Sequence, residues 1–147
     1  MSGGCDDPRF ARLVDLFEHL TAGDLARLGD HYAVDARFKD PFNEVIGVPA
    51  IQRVFEHMFG ALDAPRFVVH AVIVQGDQAV LTWDFRFRFK RGEPREQTVR
   101  GASHLVLDGA GRIALHRDYW DAAEELYEKL PLLGAFMRWI KRRVNAN

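Results

Sequence analysis

The chain has a single cysteine, Cys5, among its 147 residues, so no disulfide can form within it. No Cys/His grouping has the spacing of a structural zinc site, and no metal is expected. No run of about 18 apolar residues suggests a membrane span. The first residues lack the basic start and apolar stretch of a signal peptide. These absences make a soluble cytoplasmic protein the expectation. Neither sign of charge dominates, with 20 Lys and Arg against 21 Asp and Glu. A general nucleic-acid binder needs a net basic face to neutralise phosphates, and only a local basic stretch near the C-terminus offers one. No internal repeat or low-complexity linker interrupts the chain.

What is present is apolar. Such residues make up 48% of the chain and aromatics 12%, enough to fill a core and still line a cavity. The length fits one core rather than two, and a single domain over residues 7–144 is expected. Pro8 suits a first helical turn capped by Asp6 or Asp7. Phe10, Leu13, Val14, Phe17 and Leu20 then recur at helical spacing. Thr21 to Asp24 stops this helix and caps a second, short one through Leu25 and Leu28.

Residues 36–40 alternate like a short strand, which Pro41 ends. Val48-Pro49 opens another helix with Ile51, Val54, Phe55 and Met58 on one face, and Gly60 and Pro65 punctuate its exit. Strands follow at about 67–74, 79–90, 97–107 and 113–120, with Gly-containing turns between them. A last helix is expected over 122–130, broken by Pro131, and continuing over 132–144. Helices, then antiparallel strands, then a helix indicate α+β rather than a βαβ series. One curved antiparallel sheet wrapped around the N-terminal helices would make a cone, with a ligand at its mouth.

Four short stretches, in this order and spacing, carry a resemblance: Thr21-Ala22-Gly23-Asp24-Leu25, Phe38-Lys39-Asp40-Pro41, Asp108-Gly109-Ala110-Gly111-Arg112 and Arg117-Asp118-Tyr119-Trp120-Asp121. Together they resemble the nuclear transport factor 2-like superfamily, which includes ketosteroid isomerases, limonene epoxide hydrolases and SnoaL-like polyketide cyclases. The resemblance implies a cone-shaped fold and a pocket for a small, largely apolar molecule of polyketide, terpenoid or steroid type. It implies cofactor-independent chemistry where there is any, and homodimers.

On that resemblance Asp40 stands where the isomerases hold their general base. Leu16 and Ser103 stand where the isomerases carry their oxyanion donors. Asp118 resembles the epoxide hydrolase aspartate that activates water. Phe38 and Asp40 replace the Tyr and Asn that help hold that water, and Asp84-x-Arg86 reverses the order of the hydrolases' charged pair. Read as residues alone, Asp40 equally suits an Asx-type cap of the turn at Pro41.

In strand 113–120, alternation puts His116, Asp118 and Trp120 on one face. A carboxylate there is costly to bury unless it is paired, and His116 could orient it or exchange a proton with it. In strand 79–90 two parities are open. With Asp84 and Arg86 inward, an ionic floor forms, and Trp83, Phe85, Phe87 and Phe89 make an outer apolar stripe that a second subunit would cover. The opposite parity puts the rings in the pocket and the charges toward water. The resemblance favours the first, and with it a homodimer through Trp83, Phe85 and Phe87.

The candidate catalytic set is therefore Asp40, Asp118, Arg86, Asp84 and His116. The candidate wall is Phe38, Phe55, Met58, Trp120, Tyr32 and Phe17. An isomerase, cyclase or hydrolase using a pocket carboxylate as base is one reading. A non-catalytic module for an apolar ligand, or a dimeric assembly domain with a vestigial pocket, is the other.

Overall fold

The computed structural model describes residues 5–92, 95–122, 125, 139–140 and 142–144. Helix α1 covers Pro8–Glu18, and the carboxylate of Asp7 caps it by accepting the Arg9 N–H at 2.9 Å. Its Phe10, Leu13, Val14 and Phe17 are buried, each contributing on the order of 1.5–3 kcal/mol. Thr21 and Asp24 form a capping box, with the Thr21 N–H donating to Asp24 Oδ2 at 2.8 Å. The segment they open, Ala22–Asp30, is 3-10 in geometry and kinked at Arg27, tighter than the short helix expected there.

Strand β1 covers Tyr32–Lys39 and β2 covers Glu44–Ile46. Helix α2 spans Val48–Ala61, started by Gly47 at a φ of 95° and burying Ile51 and Phe55. It runs through Gly60 and passes directly into β3, Leu62–Gln75. Pro65 sits in that strand at a register shift between Asp63 and Arg66, the kind of position where a missing N–H is tolerated. Strands β4 (Gln78–Phe89), β5 (Gln97–Leu107) and β6 (Ile113–Tyr119) complete a sheet ordered β2-β1-β6-β5-β4-β3.

The α+β class and curved, unclosed sheet agree with expectation, with one correction. The sheet is not wholly antiparallel, because β1 pairs with β6 in parallel. That pairing aligns Phe38 with His116 and joins the early and late parts of the chain at the site. The last helix expected over 122–130 and 132–144 falls largely outside the described residues. Those described are helical at 122, 125, 139–140 and 142–144.

The parity of β4 is the second correction. Ala79, Leu81, Trp83 and Phe87 are at most 5% exposed, whereas Val80 is 37% exposed. The rings therefore face the interior, and Asp84 and Arg86 lie on the outer face of the sheet. Desolvating two charges costs several kcal/mol each, while each aromatic ring gains from burial. The rings win. Trp83, Phe85 and Phe87 thus cannot form the outer dimer surface expected of them.

Candidate functional site

A cavity of about 160 Å³ opens between the inner face of the sheet and α2. Phe38, Phe55, Met58 and Trp120 line it, as do Phe67 from β3 and Val99 from β5. Trp83, Phe85 and Phe87 supply the wall on β4. Phe85 stacks on Phe67 with ring centroids 4.6 Å apart, and Trp83 meets Phe67 edge-on at 5.1 Å. On the solvent side Trp139, Ile140, Arg143 and Val144 complete the lining.

Polar groups enter from β6. The register sets Ser103 of β5 opposite Asp118 and Leu105 opposite His116, so both β6 side chains point inward. His116 Nε2 lies 2.8 Å from Asp118 Oδ1, and His116 Nδ1 lies 2.7 Å from the Tyr32 hydroxyl. Ser103 Oγ donates to the same Asp118 oxygen at 2.5 Å and accepts from Trp83 Nε1 at 2.9 Å. Phe17, Tyr32 and Phe38 enclose the imidazole, with ring centroids 5.4, 6.0 and 4.8 Å away.

Chemistry assigns the protons along this chain. Full burial, and then the charge of Asp118, raise the Tyr32 pKa well above the ordinary phenol value, so Tyr32 keeps its proton, and facing a neutral imidazole it donates to Nδ1. The Asp118 carboxylate only accepts, so His116 carries a hydrogen on Nε2 and donates it there. Both hydrogen bonds received by Asp118 end on Oδ1. Among the described residues Oδ2 has no partner, and it is not sealed off either. Asp118 lines the cavity, so this oxygen is open to a ligand.

Asp40 lines the same cavity. It also caps the turn: its Oδ1 accepts the N–H groups of Phe42 and Asn43 at 2.8 and 2.6 Å, and Asn43 Nδ2 lies 3.1 Å from each oxygen. Burial raises its pKa, the bonds from Phe42 and Asn43 work against that, and the charge of Asp118 adds to it. The Asx role and the pocket position coexist.

The other sequence candidates lie elsewhere. Asp84 Oδ2 is 3.2 Å from His70 Nε2 and 3.7 Å from Arg86, forming an outer-face cluster remote from Asp118's inner face. Arg86 Nε is buried without a hydrogen-bond partner. Phe17 lines a chamber of about 20 Å³ behind Asp118, alongside Ser103 and His116. Tyr32 lies behind His116 rather than on the cavity wall. Sequence reasoning missed the structural part of Ser103 and Trp83. Their cross-strand placement, on the same face as Asp118, was readable only once the β4 parity was known. Among the described residues no cluster of three or more His, Cys, Asp or Glu could hold a metal, and no helix is long and apolar enough to cross a membrane.

The profile of the SnoaL-like domain family matches residues 13–116, which includes Tyr32, Asp40, Ser103 and His116 and stops just short of Asp118. No curated protein matches the sequence. Solved structures similar to it include a provisionally assigned SnoaL-like polyketide cyclase from Shewanella putrefaciens, at 19% identity and a TM-score of 0.72, covering 86% of this chain and 98% of that one. A protein of ketosteroid isomerase-like fold from Catenulispora acidiphila, solved with trimethylamine, is 16% identical with a TM-score of 0.71, covering 84% and 92%. An LEH-like epoxide hydrolase from M. tuberculosis is 16% identical with a TM-score of 0.66, covering 88% and 92%. At such identities these likenesses concern the fold.

Proposed function

Because the chain belongs to the SnoaL-like domain family, whose fold serves several chemistries, we propose that it moves a proton on a small, largely apolar carbonyl compound, with Asp118 as general base. One observation carries the reading: Asp118 has one oxygen held by Ser103 and His116 and the other open to an aromatic-walled cavity. A base so oriented needs no rearrangement before it acts.

Asp118 Oδ2 would take a proton from a carbon beside the ligand carbonyl. The bonding pair moves onto the carbonyl oxygen as an enolate, and the acid formed on Asp118 returns the proton to carbon. His116, held by the Tyr32 hydroxyl, acts as a positioning residue. Asp40 lines the same cavity, and burial raises its pKa against the opposing bonds from Phe42 and Asn43. The aromatic wall suits fused-ring or alicyclic ketones of polyketide, terpenoid or steroid type.

Deuterium incorporation tests this without the natural substrate. β-Tetralone, a bicyclic ketone, is incubated with the protein in deuterium oxide and its α-proton signals are followed by NMR. The wild type is expected to speed their loss beyond the buffer rate, and Asp118→Asn is not. A second reading, a binding module without chemistry, draws on the largely apolar wall. It predicts saturable β-tetralone binding with exchange no faster than in buffer.

A further inference from the structure

The polar groups of the cavity are sorted by charge along its depth. Asp118 belongs both to the cavity and to the small chamber behind it, so it marks the inner end, and Asp40 adds a second carboxylate to the lining. The solvent end carries the opposite sign. Arg143 is exposed yet lines the cavity, and its guanidinium lies 5.4 Å from the centroid of the Trp139 ring. His57 lines the same end and meets Trp139 edge-on at 6.3 Å. Among the described residues Arg143 has no carboxylate partner.

A cation stacked on an indole at the entrance to an apolar cavity is already oriented and needs only an acceptor. The Asp118 carboxylate at the inner end repels an anion, so a ligand with an acidic group can enter in one direction only. We infer that the cavity takes an apolar ring compound bearing an anionic group, a carboxylate, sulfonate or acidic enol, which Arg143 holds at the mouth while the ring body lies inside. This deepens the functional reading and rests on the cavity being the ligand site. It does not depend on Asp118 acting as a base.

Two fluorescent probes that differ by one sulfonate test it: anilinonaphthalene sulfonate and N-phenylnaphthylamine. Both are expected to saturate one site and to compete with each other. Arg143→Gln is expected to weaken the sulfonate probe about ten-fold and to leave the neutral probe within about two-fold. Arg142→Gln, exposed in the same helical stretch and absent from the lining, is expected to change neither. Sulfonate binding should also weaken with salt more in the wild type than in Arg143→Gln. An unchanged sulfonate affinity in Arg143→Gln, or equal weakening of both probes, overturns the inference while leaving the cavity as a binding site. Equal weakening of the sulfonate probe by Arg142→Gln overturns it in favour of a diffuse basic field. If neither probe binds, the ligand-site reading falls and the inference with it.

Discussion

The Tyr32 hydroxyl and Nδ1 of His116 are 2.7 Å apart, and both side chains are buried. This contact orients the imidazole, and so sets how the histidine addresses Asp118. Tyr32→Phe removes the donor and leaves Nδ1 unpaired in the core. A stability loss of about 1–3 kcal/mol is expected, with exchange activity down about ten-fold. Imidazole nitrogen shifts measured by NMR should report loss of the single Nε2–H tautomer, which a merely structural tyrosine would not produce.

Trp83 packs on a glycine. A methyl group at Gly101 would come within 2.5 Å of the Trp83 ring, and that ring is buried with its Nε1 committed to Ser103. Gly101→Ala is expected to cost about 1–3 kcal/mol through overpacking. It should also shift the tryptophan fluorescence and lower exchange by loosening Ser103. Unchanged melting and fluorescence would show that the wall is softer than described.

Asp40 predicts a pH dependence of stability. Its folded pKa is raised, chiefly by burial, so the native state binds its proton more tightly than the unfolded chain does. Its stabilising contribution is present below about pH 4 and is lost as pH climbs through the folded value. Asp40→Asn carries no such charge. Its melting temperature relative to wild type should therefore rise between acidic and neutral pH. A constant or falling difference would contradict the assignment.

Asp84 and Arg86 lie on the outer face, paired with His70 and with each other. Asp84→Asn and Arg86→Gln should each leave exchange within about two-fold of wild type. A large loss in either would restore the ionic-floor arrangement that the β4 parity removes.

That parity shows where sequence reading stops. The spacing of Phe10, Leu13, Val14 and Phe17 gave the buried face of α1, because a helix has one apolar stripe. The glycine-marked turns gave β4 and β5 nearly to their ends. Alternation in a strand fixes which residues share a face but not which face is inside. Three charges, Asp84, Arg86 and Arg88, interleaved with four rings could be read either way until burial was compared with desolvation. The pairing of Phe38 with His116 depends on a parallel contact between strands far apart in sequence, and no local pattern announces it. Ser103, noted only as a missing oxyanion donor, turned out to hold Asp118.

The central claim is that the open oxygen of Asp118 is a working base. The most direct measurement is α-proton exchange of saturating β-tetralone in deuterium oxide, with affinity followed separately by tryptophan fluorescence. For Asp118→Asn, exchange is expected to fall by at least about a hundred-fold, with affinity within about two-fold of wild type. Wild-type exchange in that variant at equal occupancy would contradict it.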